Sequence, residues 1–291
     1  MMRVCLLGLG KTGKEIAKVL LEQEDVKLVA AICSPGSAKE GKDLGEIIGC
    51  GPTNIIAVGA DKIEEVIFKT KPDVAIDFSS PQATMRNARI FSRMKVNMVI
   101  ATTGFSKLSL KKLFVLTRKY HNGIVYAPNI TLGVNVLMLL TNIASGILNN
   151  YDFQITEIHH KRKKDAPSGT ALKIAKEIEK GLKSSRKDAS ESDIPITAIR
   201  AGGVVGKHEV MIVGDEDKIE ISHESFSRKA FAFGALRAAR FICKKAGYYE
   251  MTDVLNLGKV LADYIEGEKN RLSRRYKHYG SGAADSTESL A

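Results

Sequence analysis

The sequence predicts an α/β fold that begins with a doubly wound parallel sheet and continues into a smaller α+β domain. Residues 1–128 alternate short β-branched runs with helix-like stretches, which is the pattern of parallel strands joined by helices. A glycine-rich turn follows the first of these runs. Beyond Asn129 the alternation ends and several strand-like runs follow one another, as in mixed or antiparallel sheets.

Local patterns define each element of the N-terminal part. Pro81 stands where a first helical turn is expected, directly after Ser79 and Ser80, which is a typical signal for a helix N-terminus. The predicted strands are residues 3–7, 26–32, 53–58, 74–78, 97–101 and 123–126, and the predicted helices are residues 11–21, 62–69, 81–93 and 108–120.

The C-terminal part has longer helices and neighbouring strands. The predicted elements are a helix at 133–148, a strand at 153–160, a helix at 170–183, an exposed loop at 183–193, strands at 196–201, 207–213 and 218–223, and a helix at 228–245. Residues 271–291 are basic and then rich in Gly, Ser and Ala, which predicts disorder.

The charge balance suggests an anionic partner. Lys and Arg number 44 against 33 Asp and Glu, which gives a formal charge of +11. Such a surplus suits either a nucleic acid or a phosphorylated or carboxylated small molecule. The sequence has no Trp and no helix-turn-helix or RNA-binding signature, so we expect no nucleic acid partner.

Cysteine usage and hydropathy predict a cytoplasmic protein. The 4 cysteines form no CxxC pair and follow no signal peptide, which predicts free thiols in a reducing compartment. The most apolar stretch, 134–148, is short and interrupted by polar residues. We therefore expect neither a membrane span nor a membrane partner.

The sequence GLGKTG at residues 8–13 is a GxGxxG turn between the first predicted strand and the first predicted helix. Gly8 would permit a tight turn, Gly10 would let the backbone approach a pyrophosphate, and Gly13 would allow close packing of helix on strand. The helix N-terminus would then favour the anion. Glycine turns also occur for purely structural reasons, but this context predicts a Rossmann-type dinucleotide site.

The residues after the second predicted strand favour NADPH over NADH. No acid stands there to hold the ribose hydroxyls, and Ser34, Ser37 and Lys39 follow instead. A carboxylate would repel a 2′-phosphate, whereas hydroxyls and an ammonium accept one, and Lys11 supports the same preference. In the simpler alternative, Ser34 and Lys39 only solvate a loop.

The densest chemistry lies in EIHHKRKKDAPSGT, residues 157–170. His159 and His160 are adjacent at a predicted strand end and precede four consecutive cations. Ser168 then opens a helix whose hydroxyls and free N–H groups would receive a carboxylate or a phosphate. Nearby His and Lys side chains can supply protons.

Each of these features also has a simpler explanation. The cations could form a solvated face, one histidine could be packed in a sheet, and Ser168 could be only a helix cap. No third ligand stands at a recognisable spacing, so no metal site is predicted.

Residues 157–171 match the motif E-x-H-H-x-x-K-x-D-x-P-S-G-T-A at every fixed position, and this motif resembles the signature of the dihydrodipicolinate reductase family. Further family-like pieces occur in the same order: DFSSP at 77–81, ATTGF at 101–105, APN at 127–129, GVN at 133–135, RAG at 200–202, GKHE at 206–209, and SR at 227–228 with FA at 231–232 and GA at 234–235. The resemblance covers about residues 2–257.

This resemblance implies an NAD(P)H-dependent oxidoreductase of lysine and diaminopimelate biosynthesis, which delivers hydride to a cyclic imine dicarboxylate and forms tetrahydrodipicolinate. His159 matches the proton donor, and Lys163 matches the cation at the ring nitrogen. The implied substrate-binding residues are His160, Lys163, Ser168, Gly169 and Thr170. With the glycine turn and the Ser34–Lys39 loop, the predicted cofactor-binding residues are Gly8, Gly10, Lys11, Thr12, Gly13, Ser34, Lys39, Ser79, Thr102, Thr103, Gly104 and Asn129.

The resemblance also implies a homotetramer assembled through the smaller domain's sheet. We predict a dinucleotide-binding domain of residues 1–129 and 228–270, and a substrate-binding and oligomerisation domain of residues 130–227. The chain departs from the family pattern in its shorter glycine turn, in Lys11 where Arg is common, in Cys33 and Ser34 where many members carry an acid, and in Ser79 where Thr is usual. These departures leave the cofactor preference open.

Two alternatives of other kinds remain. Another NAD(P)-dependent amino-acid or imine dehydrogenase on the same scaffold would be expected to lack the combined His-His-Lys and Pro-Ser-Gly-Thr sequence. A non-catalytic sensor that binds nucleic acid would spread its cations over a face rather than concentrate them at one site.

Overall fold

The computed structural model describes residues 1–184 and 194–281, with side chains up to residue 271. By its contacts the chain divides into two units, Met1–Met251 and Thr252–Ala291. Residues 252–270, which the sequence assigns to the dinucleotide-binding domain, therefore lie in the second unit. The division of the first unit into two domains stays a prediction.

The strands, in chain order, are β1 (Met2–Leu7), β2 (Val26–Cys33), β3 (Ala57–Gly59), β4 (Val74–Asp77), β5 (Asn97–Ile100), β6 (Gly123–Tyr126), β7 (Asp152–His159), β8 (Ile196–Arg200), β9 (Gly206–Val213), β10 (Lys218–Ser225) and β11 (Gly247–Glu250). The helices are α1 (Lys11–Leu21), α2 (Leu44–Ile48), α3 (Ile63–Thr70), α4 (Pro81–Arg93), α5 (Lys107–Tyr120), α6 (Leu132–Ile147), α7 (Gly169–Leu182), α8 (Lys229–Ile242), α9 (Met251–Leu255) and α10 (Leu257–Ser281).

The first sheet has seven strands in the order β11-β6-β5-β4-β1-β2-β3, and all its pairs are parallel. The chain runs outward from β1 to β3 and then returns to the other side of β1 with β4. The connection after β1 therefore leads to one side of β1, and the connection after β3 leads to its other side. A crevice opens between them at the carboxyl ends of β1 and β4. This switch point contains the glycine turn and Ser79.

Helices cover both faces of this sheet, which explains the apolar strands in its centre. Ile63, Phe91 and Leu113, from α3, α4 and α5, are fully buried in the core on one face. On the other face α8 packs against α1, and Arg240 donates to both carboxylate oxygens of Asp25 at 2.7 and 2.8 Å.

The second sheet has the order β10-β9-β7-β8, with β7 parallel to β8 and antiparallel to β9. Helices α6 and α7 pack on each other, and their apolar side chains share a core with one face of this sheet. Along β7 the buried face carries Phe153 and Ile155 and then Glu157 and His159. Because alternate residues of a strand share one face, the packed face of β7 is apolar at first and ends in a polar cluster at the carboxyl end of the strand.

Side-chain caps fix where three helices begin. Ser80, Ser106 and Ser168 precede α4, α5 and α7, and their hydroxyls accept from the N–H groups three residues later at 3.4, 3.2 and 3.1 Å. The proline at position 81 occupies the first helical position, where the missing N–H costs nothing.

The predicted fold class is confirmed, with differences in detail. The strand predicted at 53–58 is Ala57–Gly59, because Thr53 instead bonds to Asp43 with both its N–H and its hydroxyl. The short elements α2, β11 and α9 were not predicted from sequence. Most of the loop predicted at 183–193 lies outside the described residues.

Helix α10 extends through residues 271–281, for which the sequence predicts disorder. The physical reason is that Leu, Lys, Arg and Glu are good helix formers and that no proline interrupts residues 257–281. Residues 282–291 of the predicted tail lie outside the described part of the chain.

All four cysteines are free thiols, as predicted. Within the described ranges, no helix combines the length and the apolar character that a membrane crossing requires.

Candidate active site

The three glycines of the turn between β1 and α1 have different surroundings. Gly8 has a φ of +90°, and a Cβ built there would lie 2.5 Å from the carbonyl oxygen of Phe78. A Cβ on Gly13 would lie 1.8 Å from the carbonyl oxygen of Gly8. At Gly10, by contrast, φ is −75° and a Cβ would meet nothing within 4 Å. Backbone packing therefore requires glycine at positions 8 and 13, whereas Gly10 borders open space that suits a bound pyrophosphate.

A cavity of about 430 Å³ lies beside this turn. Of the predicted cofactor residues it is lined by Gly8, Gly10, Ser34, Lys39 and Ser79. The Lys39 ammonium also donates to the Leu9 carbonyl oxygen at 2.8 Å, which ties the loop after β2 to the glycine turn. The size of the cavity and the glycines that line it fit part of a dinucleotide.

Arg86 and Asn87 of α4 also line this cavity and were missed from sequence. Their positions in the sequence could have indicated this, because residues 83, 86 and 87 lie on one face of α4 and this helix follows Ser79 at the switch point.

A row of hydroxyl groups connects the ends of β4 and β5. Ser79 Oγ lies 3.4 Å from Thr84 Oγ1, and Thr84 Oγ1 donates to Thr102 Oγ1 at 3.3 Å. Beneath them the buried Asp77 carboxylate accepts the Ser79 N–H at 2.8 Å. Burial raises the pKa of Asp77.

The other predicted cofactor residues are distributed more widely. Lys11 and Thr12 form the first turn of α1, and Thr103 and Gly104 lie on the exposed loop after β5. Asn129 belongs instead to the second cluster, because its Oδ1 accepts the Thr170 hydroxyl at 2.7 Å.

The second cluster is centred on His159, at the carboxyl end of β7. The residue is 9% exposed, and its Nδ1 is hydrogen-bonded to Oε2 of the fully buried Glu157. The other carboxylate oxygen of Glu157 accepts Arg200 Nη2 at 2.7 Å and the Ser168 N–H at 3.1 Å. Three segments of the chain therefore meet on one carboxylate.

Ser168 caps the helix that faces His159. Its hydroxyl accepts the Ala171 N–H at 3.1 Å and lies 3.3 Å from Nε2 of His208. Gly169 and Thr170 follow at the first helical positions, where N–H groups have no acceptor within their own helix. These groups and the positive end of the helix dipole can bind a carboxylate.

The turn between β7 and α7 carries the predicted cation. Lys163 is 23% exposed at its side chain, and its ammonium contacts both carboxylate oxygens of Asp165 at 2.8 Å. His160 precedes Lys163 in a tight turn, in which the Lys163 N–H donates to the His160 carbonyl oxygen at 3.0 Å. Asp165 thus holds the ammonium beside the cluster.

A cavity of about 60 Å³ connects these residues to two histidines that sequence reasoning did not assign. His159, Asn129 and Thr170 line it together with His208 and His223. The rings of His159 and His208 meet edge to face with centroids 5.2 Å apart. His208 lies in the family-like sequence GKHE, which was the available signal.

Burial lowers the pKa of both His159 and His208. At His159, the hydrogen bond and charge of Glu157 oppose this lowering of the pKa. Burial lowers the pKa of His208 to about 3, and repulsion from His159, when that ring is protonated, adds to the effect. His159 is therefore an acid that gives up a proton readily once it has been charged.

Glu157, His159 and His208 bring their ligand atoms within 4.8 Å of one another, a spacing that a metal ion could use. However, the Arg200 guanidinium already occupies one oxygen of Glu157, and a metal would compete with this cation and with the His159 ring for the carboxylate. We interpret the cluster as a site of proton transfer and anion binding.

Comparisons with known proteins show the family to which the chain belongs. Residues 2–130 match the family model "Dihydrodipicolinate reductase, N-terminus", and residues 133–255 match "Dihydrodipicolinate reductase, C-terminus". The chain is 37% identical over 272 residues to the 4-hydroxy-tetrahydrodipicolinate reductase of Methanocaldococcus jannaschii, covering 89% of this chain and 99% of that one. It is 40% identical over 272 residues to the enzyme of the same name from Methanopyrus kandleri, covering 89% and 98%.

Solved structures give the same result. A dipicolinate-bound dihydrodipicolinate reductase from Paenisporosarcina sp. TG-14 aligns with a TM-score of 0.72 at 26% identity, covering 86% of this chain and 97% of that one. An amine dehydrogenase from Mycobacterium smegmatis aligns with a TM-score of 0.60 at 14% identity, covering 85% and 94%, and this likeness shows the fold alone. The matches in both halves of the chain and the relatives along most of its length lead to one conclusion: the chain belongs to the dihydrodipicolinate reductase family.

Proposed function

We propose that this chain catalyses the NAD(P)H-dependent reduction of 4-hydroxy-tetrahydrodipicolinate, or of the dihydrodipicolinate formed from it, to tetrahydrodipicolinate in lysine and diaminopimelate biosynthesis. One observation carries the proposal. The residues of the family signature, which are spread over a strand, a turn and a helix, converge on the buried Glu157 carboxylate, with His159 on one oxygen and the N-terminus of α7 on the other.

His159 is the proposed proton donor. Addition of hydride to the conjugated C=N system leaves negative charge that a proton must neutralise. The pKa of His159 lies below its ordinary value because of burial, so its imidazolium transfers a proton readily. A positioned acid of this kind contributes roughly 10²- to 10⁴-fold to a rate.

Lys163 and the N-terminus of α7 are the proposed substrate anchors. An ammonium beside the ring nitrogen stabilises the charge that develops there, and it acts most strongly where water is excluded. The Ser168 hydroxyl and the N–H groups of Gly169 and Thr170 would hold one carboxylate, with His160 beside them. The two carboxylates of the substrate explain the concentration of donors in one place.

When bound, the nicotinamide supplies the hydride. The glycine turn would receive its pyrophosphate, and the hydroxyl row of Ser79 and Thr102 would face the nicotinamide ribose. We favour NADPH because two cations, Lys39 and Arg86, line the cavity beside the turn and could pair with a 2′-phosphate.

The test is a coupled assay. A synthase would form the substrate from pyruvate and aspartate semialdehyde, and oxidation of NADPH or NADH would be followed by absorbance. Rapid oxidation supports the function, and the ratio of kcat/KM values decides the cofactor. Failure to oxidise either cofactor, together with turnover of an amino acid or another imine, would favour the alternative dehydrogenase.

Variants then test the residue roles. His159→Gln and Lys163→Ala should each lower kcat by roughly 10²-fold or more while the affinity for the dinucleotide stays unchanged. Lys180→Ala is the matched control, because Lys180 is an exposed lysine of α7 that is paired with Glu177. Wild-type kcat in both site variants would contradict the assignment.

We further propose a cytoplasmic homotetramer with a division into domains near residues 130 and 228. The sheet of β7–β10 has one face packed by helices, and its other face carries half-buried side chains such as Ile158 and Met211 together with the exposed Ile199. A face of this kind suits association between copies. Light scattering would measure a tetramer, and a monomer under assay conditions would refute it.

A further inference from the structure

Glu157 has no assigned part in the proposed reaction, although it makes the central contacts of the site. Its side chain is completely buried, and a buried carboxylate is stable only when it is paired. Three groups contact its carboxylate: the His159 ring, the Ser168 N–H and the Arg200 guanidinium. Arg200 also donates to the Asp165 carbonyl oxygen.

The hydrogen bond between His159 and Glu157 fixes the orientation of the ring. Nδ1 points inward to Glu157, so Nε2 points to the opposite side. On that side lies Gly206, where a Cβ would come within 3.1 Å of Nε2. Gly206 and His159 both line the small cavity that also contains Thr170. The nitrogen left free by Glu157 is thus the one that borders the proposed substrate site.

We propose that Glu157 is a positioning residue, which keeps the His159 ring in this orientation and stabilises the charged imidazolium that donates a proton from Nε2. This inference rests on the proposed role of His159. A neutral ring protonated on Nδ1 has no proton on Nε2 to donate. Proton delivery from Nε2 therefore requires the doubly protonated ring, whose positive charge a neighbouring carboxylate favours.

The charges around His159 explain why this support is needed. Lys163 on the following turn and Arg200 on β8 both disfavour a second positive charge, and the buried ring of His208 on β9 is uncharged. Burial adds to their effect. Glu157 on β7 opposes all of these influences, since its hydrogen bond and its charge raise the pKa of His159.

Arg200 in turn keeps Glu157 ionised. Burial by itself would raise the pKa of Glu157, but the hydrogen bonds from Arg200 and His159 outweigh it and hold this pKa below its ordinary value. The same guanidinium contacts the carbonyl oxygen of Asp165, whose side chain holds Lys163. The ion pair between Arg200 and Glu157 therefore connects His159, the Ser168 cap of α7 and the turn that carries Lys163.

The first experiment is the variant Glu157→Gln in the full chain. Gln keeps one acceptor for the Ser168 N–H but removes the negative charge. We expect kcat to fall by about tenfold or more, by analogy with the aspartate that orients histidine in serine proteases, whereas KM for the dicarboxylate changes less than about threefold. The pH above which kcat/KM declines should move to lower pH, because the pKa of His159 falls without the anion.

The matched control is Glu65→Gln, which removes an exposed carboxylate that is paired with Lys69 on α3 and should leave every parameter unchanged. A purely structural role for Glu157 would lower the melting temperature without moving the pH profile. An E157Q enzyme with wild-type kcat and an unshifted profile overturns the proposal.

A second measurement needs no variant and keeps the proposal testable if E157Q does not fold. Nitrogen NMR of the His159 ring in the wild-type chain should show the neutral ring protonated on Nδ1, with that proton strongly hydrogen-bonded. A ring protonated on Nε2 overturns the proposal. If the wild-type protein lacks reductase activity, the proposed function fails, but the ring assignment still decides whether Glu157 orients His159.

Discussion

Replacing the three glycines of the nucleotide turn one at a time should separate folding from cofactor binding. In Gly8→Ala, the new methyl group would lie 2.5 Å from the Phe78 carbonyl oxygen, about 0.9 Å inside ordinary contact distance, and φ is +90°. The left-handed backbone costs about 1–2 kcal/mol for alanine, and overpacking adds about 1–3 kcal/mol. We expect the free energy of unfolding to fall by about 2–5 kcal/mol.

Gly13→Ala should be at least as damaging, since its methyl group would lie 1.8 Å from a backbone oxygen. Gly10→Ala has no such clash. Alanine is a poorer N-cap than glycine but restricts the unfolded chain, so these effects oppose each other and stability should change by less than about 1 kcal/mol. The same methyl group would separate the backbone from the pyrophosphate and raise the dissociation constant of NADPH by about tenfold, or 1.4 kcal/mol.

The assay combines urea unfolding, followed by circular dichroism, with fluorescence titration of NADPH. We expect opposite results for the two variants: Gly8→Ala loses stability, whereas Gly10→Ala keeps its stability but binds NADPH weakly. A Gly8→Ala protein as stable as the wild type would show that the turn relaxes and that the close approach to Phe78 is not required. Unchanged NADPH affinity in Gly10→Ala would show that the cofactor does not approach this backbone.

Three further substitutions test separate parts of the site. Ser168→Ala should lower stability by about 1 kcal/mol through loss of the helix cap, and it should raise KM for the dicarboxylate. Urea unfolding and steady-state kinetics measure the two effects. An unchanged KM would show that Ser168 does not bind the substrate. Because burial raises the pKa of Asp77, the folded wild type binds the Asp77 proton more tightly than the unfolded chain does, so its stability should fall as pH rises above about 4. Asp77→Asn should lack this pH dependence. Parallel curves of stability against pH for the two proteins would show that Asp77 does not cause it. Lys39→Met should raise KM for NADPH by about tenfold but leave KM for NADH nearly unchanged, and equal effects on both cofactors would mean that Lys39 only braces the Leu9 carbonyl.

The sequence predicts the architecture well because its signals are local. Alternating strands and helices, the glycine turn and the proline at position 81 each follow from neighbouring residues. The motif at 157–171 likewise brings His159, Lys163 and Ser168 together within one strand, turn and helix. These parts of the site needed no knowledge of distant contacts.

What the sequence does not predict depends on contacts between distant segments. Strand β11 is four residues long and exists because it pairs with β6 more than a hundred positions earlier. Arg200 and His208 join the site only because β8 and β9 flank β7 in the second sheet. Glu157 was visible in the motif, but its contact with Arg200, which lies 43 positions away, was not.

The late arrival of α8 and β11 has a consequence for synthesis on the ribosome. The first sheet receives β6 by residue 126, but α8, which covers α1, and the edge strand β11 are added only between residues 229 and 250. The bond between Arg240 and Asp25 spans 215 positions of chain. At roughly 5–20 residues per second, translation of the intervening segment takes on the order of 10 s. During that interval the nascent chain exposes the part of its first sheet that α8 covers in the folded protein, and this apolar surface is open to aggregation until α8 has been made.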